Sequence, residues 1–191
     1  WIAYIGHHAG RAQNPLAGRE EGNGTSVVDV TDPASPEYIA HIPGGAGNEP
    51  TEAQMVRTCS GSELPGGVDG NFYLLRAVGR TGHQIWDVTT PEDPELVSSM
   101  EEEGLVDTHK NWWECDTGIA YLVSGVEGWA TRRMTQVYDL SNPAEPRFIR
   151  NFGLPGQQPG SPDQEEMAKH DLHGPIAIGN RIYFGYGTFL N

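Results

Sequence analysis

Imidazoles are the side chains in this sequence best suited to chemistry at neutral pH, because their unperturbed pKa lies near 6.5. Seven are present: the adjacent pair His7-His8, the single residues His41, His83 and His109, and the run His170-Asp-Leu-His173. Neutral imidazole suits zinc, copper or iron, and Asp107, Glu114 and Asp171 lie close enough in sequence to add oxygen ligands or to orient the rings. His109, His170 and His173 make the leading metal set. His170 and His173 diverge in an extended strand, so the pair needs a bend, which Gly174-Pro175 supplies. His7 and His8 are weaker candidates, since strand neighbours point to opposite faces. In an enzyme built on such a metal, hydrolytic or oxidative, Asp171 is the candidate base and Arg133 the holder of an anionic substrate. The same imidazoles also fit metal-free acid–base work, or plain hydrogen bonding to loops and strand ends. Arg132-Arg133, with Trp129 nearby, reads as a clamp for a carboxylate with an aromatic shelf; the plain alternative is a solvated basic pair. The sequence contains no Walker loop, Gly-x-Gly-x-x-Gly, Cys-x-x-Cys, His-Glu-x-x-His or Gly-x-Ser-x-Gly, so a nucleophilic hydrolase of familiar type has no support.

What positions these residues is written three times in the chain. Ser26-Val-Val-Asp-Val-Thr-Asp-Pro-Ala-Ser-Pro-Glu-Tyr-Ile39 matches His83-Gln-Ile-Trp-Asp-Val-Thr-Thr-Pro-Glu-Asp-Pro-Glu-Leu-Val97 and Thr135-Gln-Val-Tyr-Asp-Leu-Ser-Asn-Pro-Ala-Glu-Pro-Arg-Phe-Ile149. Asp29, Asp87 and Asp139 superpose, 58 and 52 residues apart, a period that marks a repeat architecture. Each Asp closes a strand, where its carboxylate accepts the N–H groups of an Asx turn, and the two following prolines carry the chain out of the sheet. A second match aligns Ala3–Gly6, Phe72–Leu75, Ala120–Val123 and Ile182–Gly185 on their tyrosines. With the upstream segments Ala53–Cys59, His109–Cys115 and His170–Ile178, the unit becomes four short strands. In the third unit these are His109–Cys115, Ile119–Ser124, Met134–Leu140 and Arg147–Phe152.

Four-stranded antiparallel units repeated about an axis are propeller blades. The expectation is therefore an all-β propeller, with blade parts at 1–44, 51–100, 107–153 and 169–191. That makes two full and two partial blades, thirteen strands, about half of a closed ring. The exposed faces of an open half are costly, which predicts that the chain is a piece of a longer protein or that a second chain completes the ring. The motif (V/I)-(V/W/Y)-D-(V/L)-(T/S)-x-P-x-x-P resembles the LVIVD-repeat family of bacterial β-propellers over nearly the whole chain. The resemblance implies an exported protein, periplasmic or extracellular, and brings no catalytic residue with it. The segment Thr108–Gly118 departs from the generic repeat and suggests a subgroup with its own site.

In an up-and-down blade the loops alternate between the two rims. The Pro-x-x-Pro turns share one rim. The long, dissimilar loops, 7–24, 43–51, 101–108, 125–133 and 153–169, share the other, and function usually resides on variable loops. Six histidines map to that second rim, with His173 a turn's reach inside. Cys59 and Cys115 hold matching positions in consecutive inner strands, so a disulfide between blades and two separate buried thiols are both open; a bond fits an oxidising compartment. Trp112 and Trp113 are expected to be mainly core, one packing between blades, with the channel as the alternative place for the other. Net charge is −14 with a pI near 4.7, which argues against nucleic acid and anionic membrane as partners. No apolar run approaches a membrane span. The reading is a propeller that binds a small-molecule or protein ligand on its long-loop face, at a histidine-lined mouth. Alternatives are the metal-dependent enzyme above and a structural module of a larger surface protein.

Overall fold

The computed structural model describes residues 1–45 and 52–187. Of the long loops expected to carry function, the part from 46 to 51 lies outside the described residues. The chain is all-β apart from one short helix. β1 (Ile2–Gly6) leads into a hairpin of β2 (Arg11–Asn14) and β3 (Arg19–Gly22), followed by β4 (Gly24–Asp29) and β5 (Glu37–Pro43). Next come β6 (Val56–Ser60), β7 (Phe72–Val78), β8 (Gly82–Asp87) and β9 (Glu95–Glu101), then β10 (Asn111–Trp113), β11 (Ile119–Ser124), β12 (Met134–Asp139) and β13 (Arg147–Phe152). Helix α1 (Gln164–Met167) precedes β14 (Leu172–Ile178) and β15 (Arg181–Tyr186). The sheets are antiparallel: β1-β4-β5, β6-β7-β8-β9, β10-β11-β12-β13 and β14-β15, with β2-β3 separate.

The three matching segments fold alike. Asp29 Oδ1 accepts the N–H of Thr31 at 2.8 Å, Asp87 Oδ1 that of Thr89 at 2.8 Å, and Asp139 Oδ1 that of Ser141 at 2.9 Å. The pairing register also slips at equivalent points, between Val27 and Val28, Ile85 and Trp86, and Val137 and Tyr138. The slip turns the strand just before its acidic end, as a bulge does.

Expected inner strands beginning at Ala53, His109 and His170 start two or three residues later in the structure. Ala53 N–H bonds instead to His7 O at 2.9 Å, whereas His109 N–H already bonds Val123 O of β11 at 2.9 Å; Leu172, the first residue of β14, donates to Arg133 O at 3.1 Å. The hairpin β2-β3 was not expected, because Arg11–Asn14 and Arg19–Gly22 are polar and show no buried alternation. Its turn is held by Asn14, whose Oδ1 accepts the Leu16 N–H at 2.9 Å, and by Gly18 at φ 63, a conformation glycine adopts without steric cost.

The core is layered between successive sheets. Val27, Ile42, Leu74 and Val88 join the first sheet to the second. Tyr73, Leu75, Ile85, Trp113, Leu122 and Tyr138 join the second to the third. Val123, Leu172 and Tyr186 join the third to the fourth. Alternation along β7 sends Leu74 to one neighbour and Tyr73 and Leu75 to the other, so this strand is apolar on both faces. Full burial of each leucine contributes about 2 kcal/mol. Two polar devices reinforce the layers. Buried Arg76 of β7 donates to the carbonyls of Ile42 and Pro43 at 3.2 and 2.6 Å and to Gln84 Oε1, with its guanidinium 5.0 Å from the Trp86 ring centroid. Burial pushes that guanidinium down to about 10, so it stays charged at neutral pH. Cys59 and Cys115 form a disulfide between the second and third sheets, with a Cα–Cα distance of 5.4 Å. Trp113 is buried in the apolar layer, while Trp112 is half-buried under the Arg57 guanidinium at 4.3 Å.

Candidate functional site

The loops that end near His109 are tied together before any side chain is considered. Val106 and Gly125 exchange N–H···O bonds, Thr108 N–H reaches Arg80 O, and Thr108 Oγ1 lies 3.2 Å from Ser124 Oγ. A Cβ on Gly125 would lie 2.4 Å from Arg132 O in its own β11–β12 loop and 2.7 Å from Val106 Cγ2 of the β9–β10 loop, so glycine here lets the two loops approach this closely. The result fixes Asp107 at φ 53, the one positive-φ residue other than glycine among those described.

Asp107 is the hub of the site. Its carboxylate, in a residue only 5% exposed, faces three guanidinium groups. Arg80 Nη2 stands 3.1 Å from Oδ1, Arg132 Nε 3.0 Å from Oδ2, and Arg133 reaches Oδ2 through Nε at 3.2 Å. Arg132 Nε also pairs with Asp171 Oδ2 at 3.0 Å. Asp171 Oδ1 accepts the Thr131 hydroxyl at 3.1 Å and the Arg132 backbone N–H at 2.9 Å. Both side chains of the Arg132-Arg133 pair are held by carboxylates, while Arg132 remains exposed to solvent and Arg133 does not. Asp171, expected as a base or ligand neighbour, pairs with Arg132.

His109 and His173 sit beside this cluster. Their rings meet edge to face with centroids 5.1 Å apart. Gln54 Nε2 donates to His109 Nδ1 at 2.7 Å, which leaves the neutral ring's proton on Nε2. Burial pushes His109 down to about 4, helped by the charges of Arg133 and Lys110 and by His173. His173 is also held below the usual imidazole range, by burial first and then by Lys110 and Arg133. Both rings are neutral at pH 7. Arg80, Lys110, Arg132 and Arg133 therefore stand against Asp107, Asp171 and Glu52, the carboxylate acting on Lys110. On a chain of net charge −14, these seven groups carry one net positive charge.

The other sequence candidates fall as follows. His170 is buried, and its carbonyl accepts from Gln157 Nε2 at 2.7 Å and from Thr131 Oγ1 at 3.3 Å. His7 Nε2 lies 2.8 Å from Ser26 Oγ, and His8 is exposed. Among the described residues, no three or more of His, Cys, Asp and Glu gather closely enough to hold a metal ion. Trp129 packs on Gly153, where an added Cβ would meet its ring at 2.7 Å, so its shelf faces that loop. Sequence reasoning missed Arg80, Lys110 and Gln54. Each is a single polar residue in a turn or at a strand end, and only the neighbouring sheet gives it a role. The chain matches no protein-family model and no curated protein.

Proposed function

We propose that this chain is about half of an LVIVD-type β-propeller in an exported protein, and that the loop end around Asp107 binds a small carboxylate. The observation that carries the reading is a buried aspartate in left-handed backbone that aligns three guanidinium groups, with Lys110 and two neutral imidazoles alongside. Guanidinium forks recognise carboxylates by paired hydrogen bonds. Here the arginines are ordered before the ligand arrives, which lowers the entropic cost of binding. His109 Nε2–H adds a neutral donor that keeps its proton across the physiological range. The propeller reading draws support from four sheets packed in chain order with apolar layers between them. The export reading draws support from the Cys59–Cys115 disulfide, a bond found mainly in oxidising compartments.

Titration calorimetry with acetate, succinate and citrate tests the site. Saturable, salt-sensitive binding is expected, weakened about 10- to 100-fold in Arg133→Gln, the loss of one charge-assisted contact. Absence of binding by all three, or affinity in both Arg133→Gln and Lys110→Gln unchanged from that of the unsubstituted chain, overturns the proposal.

A further inference from the structure

A second cluster of titratable groups lies under the β2-β3 hairpin and takes no part in the arginine site. His7 Nε2 is 2.8 Å from Ser26 Oγ, Ser26 Oγ is 3.3 Å from the Tyr38 hydroxyl, and that hydroxyl is 3.1 Å from His41 Nδ1. His41 Nε2 lies 3.1 Å from the Gly22 carbonyl oxygen of the hairpin. Hydrogen-bond chemistry orients the whole series. A carbonyl only accepts, so His41 Nε2 carries a proton, and in the neutral ring Nδ1 must accept. Tyr38 therefore donates to His41, Ser26 donates to Tyr38, and His7 donates its Nε2 proton to Ser26. Every hydrogen points from His7 toward His41. All four side chains line one cavity of about 170 Å³, with Asn14 and Glu21 on its hairpin side. Ser26 is 8% exposed, so the middle of the series is shielded from bulk water.

We propose that His7, Ser26, Tyr38 and His41 form a one-proton relay, an acid–base site that opens on this cavity and serves a small neutral or cationic protic ligand. The step balances simply. A proton passes from the ligand to His7 Nδ1; His7 gives its Nε2 proton to Ser26, Ser26 gives its own to Tyr38, and Tyr38 gives its own to His41 Nδ1. One proton has entered, His7 is neutral with its hydrogen on Nδ1, and the charge rests on His41. No bond between heavy atoms changes. The Ser26 hydroxyl now donates to His7 Nε2, so proton uptake reverses the direction of the series.

The surroundings favour this resting place. Glu21 of β3, held by Asn14 Nδ2 at 2.7 Å and by Arg19 Nε at 2.9 Å, feels the charge of His41. His7 is held below the usual imidazole range by burial and by His41. Among the described residues, Glu21 with Arg19 from the hairpin, Tyr38 and His41 from β5, and His7 beyond β1 are the titratable and charged groups at the relay, and the cavity lining carries one carboxylate and no lysine or arginine. It therefore rejects the anions that suit the Asp107 site.

Nitrogen-15 NMR of the imidazoles across about pH 8 to 5 tests the relay in the whole chain. Above the first titration His7 is expected to carry its proton on Nε2. As that step proceeds, His41 becomes doubly protonated while the protonated and bare nitrogens of His7 exchange places. Tyr38→Phe is expected to lose the exchange with the His109 tautomer unchanged. A wild-type His7 that keeps its Nε2 proton through the step overturns the relay, whether or not the variant folds. An exchange that persists in Tyr38→Phe does the same. Methylammonium is expected to shift the His7 and His41 signals and acetate to leave them in place; the reverse order overturns the ligand class. These readouts sit on residues that share no side chain with the Arg133 site, so a failure of carboxylate binding there leaves them unaffected.

Discussion

Asp107 adopts a backbone conformation that costs most L-residues about 1–2 kcal/mol, although Asp and Asn tolerate it through local hydrogen bonding. Substitution therefore separates backbone from charge. Asp107→Asn keeps the turn and removes the charge that orders Arg133. We expect a loss of about 2 kcal/mol in urea denaturation, less than for a fully buried pair because Arg80 and Arg132 face solvent. Asp107→Ala is expected to lose more, since it adds backbone strain. His83 gives a separate, pH-dependent signature. It is 1% exposed, and burial pushes its imidazole down to about 4. The unfolded chain takes up this proton near pH 6.5 and the folded chain refuses it until about 4. The contribution of neutral His83 is thus full above pH 6.5 and is lost by up to about 3 kcal/mol as pH falls to 4. His83→Gln, which can still donate to the Lys110 carbonyl, is expected to flatten the stability profile over that window. At this scale the histidines were legible as candidates, but their partners were not: Gln54 stands 55 residues before His109 in sequence and 2.7 Å from it in space.

Individual elements test how neighbouring sheets are fastened. Gly118, in the turn between β10 and β11, has φ 73, and a Cβ there would lie 2.4 Å from Ser141 Cα. Gly118→Ala meets both strain and a backbone clash, and a loss of at least about 2 kcal/mol is expected in thermal or urea unfolding. A loss below 0.5 kcal/mol, the range of ordinary surface changes, would mean that the turn yields freely. The disulfide closes a sequence separation of 56 residues, for which loop-closure entropy gives about 4 kcal/mol. Reduction, or paired replacement by serine, is expected to lower the unfolding midpoint without altering carboxylate binding at the far end of the same sheets. The Asp-Pro-x-x-Pro turns were readable because their chemistry is local: one carboxylate, one N–H two residues on. The second unit's inner strand starts later than expected because Ala53 gives its N–H to His7 O in the preceding unit, and no local pattern reports that.

At the scale of the molecule, apolar layers join each sheet to the next, yet the last sheet presents Ile176, Ile178 and Tyr183 to solvent at 47, 65 and 55% exposure. An exposed apolar face of this kind marks a surface that another molecule can cover. Sedimentation velocity on the 191-residue chain is expected to show association that grows with concentration and weakens in Ile178→Lys. A monomer at all concentrations would argue that this face needs no cover. The sequence by itself determined the all-β class, the sheet order and the Asx–Pro turns, because strand alternation and turn chemistry act over a few residues. It also marked His109, His173 and Arg133. Only the tertiary structure decided that Asp107 gathers three arginines, that Arg132 bridges to Asp171, and that His7 and His41 are linked through two hydroxyls. Those relations depend on distances between loops and strands remote in sequence, and such distances are set by how successive sheets pack.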